Sequence, residues 1–172
     1  MNKDATSAVV ISDTETRVTS DTHQAVRLWL RMLACTNLIE AQVRSRLRTG
    51  FDITLPRFDL MAQLERYPDG LKMGELSKRM MVTGGNVTGI TDQLVAEGLV
   101  VREDNPKDRR AYIVKLTKEG HRVFKQMADP HHQWIVELFD GLSEREKQQL
   151  YTLLGQLKQR VAAVAAGLRL SA

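Results

Sequence analysis

A chain of 172 residues is long enough for one domain with a sizeable core and short for two independent ones. Lys and Arg outnumber Asp and Glu by 25 to 21, and the pI of about 9.4 makes a polyanionic partner plausible without identifying it. No uninterrupted apolar run approaches a bilayer span, which excludes a membrane-spanning helix; the first ten residues, MNKDATSAVV, lack the basic start and apolar stretch of a secretory signal, and the one cysteine, Cys35, fits a reducing compartment, so the cytoplasm is the expected address.

Residues 1–20 are rich in Ser, Thr and Asp with a short Val9–Ile11 island, and they read as a mobile arm able to dock on a partner subunit. From Asp21 to Thr49 no Pro or Gly intervenes, and Leu28, Met32, Cys35, Leu38 and Ile39 recur at near-helical spacing. This predicts a long helix that Gly50 ends. A second helix is expected over Thr54–Arg66, with Pro56 tolerated in its first turn. Pro68-Asp69-Gly70 then turns the chain.

Two short helices follow, Met73–Met80 and Gly84–Glu97, separated only by Met81-Val82-Thr83. Joined this tightly, they suggest a helix-turn-helix. After Gly98, suited to a left-handed cap, the runs Leu99–Glu103 and Ala111–Leu116 predict a two-stranded hairpin. Its loop, Asp104 to Arg110, is too long for a two-residue turn and carries charge at its tip. It has the character of a wing. Two last helices are expected over Lys118–Phe139, with Pro130 kinking it, and from Ser143, where Ser-Glu-Arg-Glu matches a capping box. The stripe Leu150, Leu153, Leu154, Leu157 and Val161 is more continuous than a small core needs, and it reads as a dimer seam.

In Gly84–Val95, helical spacing buries Val87, Ile90 and Leu94 and leaves the opposite face small and polar. Asn86, Thr88 and Gln93 can there reach base edges or phosphates, and Gly85 and Gly89 let the backbone approach a major groove closely. The helix N-terminus directs free N–H groups toward phosphate. An amphipathic surface helix with weak glycines is the bland alternative. The hairpin tip weighs against it, because Lys107, Arg109 and Arg110 are placed to reach an adjacent minor groove, with Asp108 holding a neighbouring arginine.

The run Leu94–Arg102, followed by Asp104–Arg110 and Val114–Gly120, has the order and spacing of an L-x-x-x-G-L-V-x-R exit, a D-x-R wing and an L-T-x-x-G entry. Over about Leu28–Val161 the chain resembles the MarR family of bacterial regulators, named for multiple antibiotic resistance. The resemblance implies a mainly α fold with a small β-hairpin wing: a winged helix-turn-helix of four helices, two strands and two helices, as an obligate dimer. It puts Asp108 and Arg110 at the D-x-R positions, Arg110 as minor-groove reader and Arg109 as a further phosphate contact. Gly89 departs from the larger polar or basic side chain many members carry there, so base specificity is expected to differ.

The same resemblance implies an organisation of residues 54–117 as the DNA-binding lobe and 21–53 with 118–172 as the dimerisation region. It also implies a ligand cavity between them. Candidate effector contacts are Trp29, Met32, Arg46, His131 and Trp134; for Trp29, Met32 and Trp134 core or interface packing is the favoured reading, and His131 beside Pro130 has a plain surface role as its alternative. Basic residues of the first helix (Arg27, Arg31, Arg44, Arg46, Arg48) suit an anionic effector, and a solvated helix face explains them equally well. Thr36–Arg66 is similar to the branch that responds to aromatic acids or their coenzyme A thioesters, including hydroxycinnamoyl-CoA.

The expected partners are therefore double-stranded DNA, a second copy of the chain and a small aromatic effector, with no cofactor, metal or membrane. The rivals are a redox switch at Cys35, a metal sensor using His23, His121, His131 and His132, a non-DNA helical interaction module, and an enzyme. Cys35, mid-helix among Leu33, Ala34 and Leu38 with no base beside it, reads as a buried inert thiol. The histidines lack ligand spacing. No G-x-G-x-x-G, phosphate-loop lysine or G-x-S-x-G motif supports an enzyme.

Overall fold

The computed structural model describes residues 23–105 and 112–167. The expected N-terminal arm, 1–20, lies outside them, as do the wing-tip residues Lys107, Asp108, Arg109 and Arg110. Two units divide the chain at Ser45 and Arg46, inside the first helix, α1 (Gln24–Phe51).

In the first unit several apolar residues of α1 face outward, Leu28 at 56% and Trp29 at 59% exposed, while Val43 is buried. Cys35 is exposed as well, which corrects the expectation of a buried thiol. Helical periodicity places a residue on an apolar stripe but does not say whether its own chain covers that stripe. Gly50 does not end α1 either. The helix runs one residue further and stops where Asp52 takes a left-handed conformation, φ 49°, which Asp tolerates better than most side chains.

In the second unit α2 (Leu55–Arg66) starts from an extended Thr54 with Pro in the first turn and buries Phe58, Leu60, Met61 and Leu64. The turn after it needs Gly70: at φ 88° a Cβ would stand 2.3 Å from Ile113 and 2.8 Å from the Val114 carbonyl oxygen. That close approach arises because Leu71–Lys72 forms a short strand, β1. The sheet is therefore three-stranded, in the order β1-β3-β2, and antiparallel throughout. The sequence predicted two strands.

α3 (Met73–Met80) begins with the Glu75 carboxylate accepting from the Lys72 N–H at 3.1 Å, and ends at Met81, φ 55°. α4 (Gly84–Ala96) then leads through Gly98, φ 72°, into β2 (Val100–Asp104), which pairs with β3 (Tyr112–Leu116) from Val100↔Leu116 to Asp104↔Tyr112. The core of this unit is Leu47, Leu60, Met61, Leu64, Leu76, Val87, Leu94, Val114 and Met127, each less than 2% exposed.

α5 (Lys118–Leu138) carries Pro130 within it. α6 (Glu144–Ala165) opens with the expected box, the Ser143 N–H donating to Glu146 at 2.8 Å, yet it has no buried residue at all. Its apolar row stays exposed in the single chain, Leu153 at 62% and Val161 at 59%. Among the described residues no helix is long and apolar enough to cross a membrane.

Candidate nucleic-acid interface

α4 is anchored by Val87, Thr91 and Leu94, all fully buried, with Ile90 half-buried. Thr91 sits among the apolar residues because its hydroxyl donates to the Val87 carbonyl oxygen at 2.7 Å, so no polar group is left unmet. On the other face Gly84, Gly85, Asn86, Thr88, Gly89 and Gln93 are exposed. The Thr88 hydroxyl donates back to the Gly84 carbonyl oxygen at 3.0 Å, which spends its proton and leaves the oxygen as an acceptor.

A Cβ at Gly84, Gly85 or Gly89 would meet nothing within 4 Å among the described residues. Packing among the described residues therefore does not require these glycines, although Gly89, in the helix interior, costs roughly 1 kcal/mol relative to Ala. Thr83 precedes the helix in an extended conformation without a side-chain cap. The first-turn N–H groups, which have no intrahelical acceptor, face outward from an end where the helix dipole favours an anion.

Two ion pairs hold this helix from below. Asp92 accepts from Arg102 of β2 at 2.5 Å, and Glu97, the C-terminal cap, pairs with Arg57 of α2. Lys115 and Glu103 bridge β3 and β2 at 2.7 Å. The arginine in the L-x-x-x-G-L-V-x-R run is thus a strut between the helix and the hairpin, a role the motif alone did not assign. The strands reach Asp104 on one side and Tyr112 on the other; the four charged residues expected to touch DNA between them fall outside the described residues.

Three of the five candidate effector residues come together in the second unit. The Arg46 guanidinium carbon is 5.8 Å from the Trp134 ring centre, and His131 lies 6.3 Å from the same ring. Sequence reasoning missed the aromatic side chains that complete the group: Phe51 at 6.2 Å from Trp134, Phe58 at 4.6 Å from His131, and Phe124 at 5.5 Å from Phe58. Arg46 also donates to Glu137 at 2.6 Å. Burial holds the His131 pKa below the usual histidine value, and the neighbouring charge on His132 adds to this, so the neutral imidazole is the form this cluster favours. Trp29 and half-buried Met32 lie on α1 in the first unit.

Comparison with known proteins bears on this geometry. Residues 51–111, from the end of α1 across the helix pair into the hairpin, match the model of the MarR family. The transcriptional repressor YetL of Bacillus subtilis is 31% identical over 103 residues, which are 60% of this chain and 62% of that one; the chain spans between 54% and 67% of the length of the first curated relatives it matches. Among solved structures, a MarR family transcriptional regulator from Silicibacter pomeroyi is 34% identical and superposes with a TM-score of 0.71 over 83% of this chain and 99% of its own. A cysteine-to-serine mutant of MarR from E. coli, complexed with operator DNA, is 25% identical with a TM-score of 0.71 over 81% of this chain and 99% of its own. Helix pair, struts and hairpin thus lie within a fold that recurs along nearly the whole length of a relative more than 30% identical, and the chain belongs to the MarR family of transcriptional regulators.

Proposed function

We propose that this chain is a homodimeric repressor that binds a pseudo-palindromic operator through residues 54–117 and is released by a small aromatic acid or aromatic acyl-CoA. The observation that carries the DNA reading is the outer face of α4: exposed Asn86, Thr88 and Gln93 beside Gly85 and Gly89, glycines that no contact among the described residues requires. A helix whose backbone is this bare can sit close to base edges in a major groove. Arg110 reads the neighbouring minor groove, and Lys107 and Arg109 contact phosphate with Asp108 orienting an arginine. The operator complex of E. coli MarR supports this docking, and the name of the YetL repressor supports the sign of regulation.

Residues 21–53 and 118–172 form the dimerisation region, with residues 1–20 as an arm. Two recognition helices related by a two-fold axis then read half-sites about 10 bp apart, in the cytoplasm where that DNA lies. Arg46, His131 and Trp134 supply an effector carboxylate with a cation and its ring with aromatic partners, and Trp29 and Met32 are assigned to the same role. Coupling of about 1–3 kcal/mol between effector and operator changes DNA affinity roughly 5- to 150-fold, enough for release.

The test is operator binding by variants, followed by fluorescence anisotropy. Arg110→Ala is expected to weaken binding by about 1–3 kcal/mol and relax specificity, whereas Lys107→Ala costs less and acts on all sequences alike. Equal affinity of Arg110→Ala and the parent chain would remove the wing from the interface. Gly89→Ala separates contact from stability: it should raise thermal stability, by roughly 1 kcal/mol on helix propensity alone, while weakening operator binding at least severalfold. A more stable protein with unchanged affinity contradicts the close approach.

A further inference from the structure

The exit of α4 lies over a cavity of about 420 Å³ that Phe51 lines but Arg46, His131 and Trp134 do not. Ile53, Leu99, Val123 and Met127 supply apolar wall, and Arg57 and Glu97 supply its charged pair. A cavity of this size suits a small organic molecule. The two members of the pair are unequally buried: the Arg57 side chain is 16% exposed and that of Glu97 47%.

This inequality makes the carboxylate replaceable. A guanidinium that deep needs an anion beside it, since an uncompensated buried charge is strongly unfavourable, while Glu97 can return to solvent at little cost. Glu97 accepts from one terminal nitrogen of Arg57. The Nε of the same group is buried with no acceptor among the described residues. A free carboxylate, unlike one tethered to the end of α4, can present both oxygens side-on to Nε and a terminal nitrogen. Asp52 at the cavity edge opposes an anion only weakly, because its side chain is 90% exposed and 3.7 Å from Arg48.

We propose that this cavity binds a monocarboxylic acid with a compact apolar body, whose carboxylate takes Arg57 from Glu97 while the body covers Ile53, Leu99, Val123 and Met127. Charge balance at Arg57 is kept, and the tie between α2 and the C-terminal cap of α4 is released. Its effect on DNA rests on the reading of α4 as the recognition helix; the binding itself does not.

The experiment is calorimetric titration of the full chain, without DNA, using hexanoate and the uncharged hexanamide as probes. Hexanoate is expected to bind at least tenfold more tightly than hexanamide. Glu97→Gln, at an exposed position, removes the competing charge and should tighten hexanoate at least threefold, and Val123→Trp should fill the cavity and abolish binding. No hexanoate binding, equal binding of the amide, no tightening in Glu97→Gln, or undiminished binding in Val123→Trp each overturns the site. Specific operator binding by the same preparation would show that only this site, and not the DNA reading, had failed.

Discussion

Gly120→Ala is expected to destabilise the fold by about 3 kcal/mol, at the upper end of overpacking effects, and to lower the midpoint of urea unfolding accordingly. Gly120 lies in the first turn of α5, where a Cβ would stand 2.0 Å from the Leu99 carbonyl oxygen, 3.0 Å from its carbon and 3.2 Å from Leu116 Cδ2. Two of those atoms are backbone, so no side-chain rotation relieves the clash. The approach is fixed by Thr117, whose hydroxyl donates to the Gly98 carbonyl oxygen at 2.8 Å and accepts from the Gly120 N–H at 2.9 Å, while its own N–H donates to the Leu99 carbonyl oxygen at 3.0 Å. Moving α5 away therefore strains the same junction that ends α4 and starts β2. An unfolding midpoint within error of the parent would mean that α5 enters differently.

The second large effect is expected on α6. Leu153→Glu combined with Leu157→Glu should convert the proposed dimer into a folded monomer at micromolar concentration, read by sedimentation velocity, and reduce operator affinity more than a hundredfold. Leu150, Leu153, Leu154, Leu157, Val161 and Val164 are 38–67% exposed in the single chain, and fully covering each such side chain is worth about 1.5–3 kcal/mol. Because no residue of α6 is buried among the described residues, the core around Leu60 and Leu94 should survive the change. A monomer then offers one recognition helix instead of two, which accounts for the loss of affinity. A folded dimer after both substitutions would place the interface elsewhere.

What was legible in the sequence follows from how far each signal reaches along the chain. Met73–Met80 matches its expected bounds, and α4 ends one residue before its own, because the apolar period and the tight Met81–Thr83 connector are local. The Ser143 box and the Gly98 cap are equally local, and both are present. β1 was missed because two residues cannot display alternation. Gly50 has the composition of a stop, whereas a left-handed Asp52 does the stopping. The struts Arg57–Glu97 and Arg102–Asp92 join residues 40 and 10 apart, and a charge at that distance carries no local mark of its partner. The same holds for Phe58, which packs on His131 of α5.

Fluorescence anisotropy of the full chain on the intergenic duplex beside its own gene, against a scrambled duplex at several salt concentrations, tests the central claim most directly. A DNA-reading α4 predicts specific binding roughly a thousandfold or more tighter than to the scrambled sequence, falling steeply as salt rises. Equal, weak binding to both duplexes would contradict it.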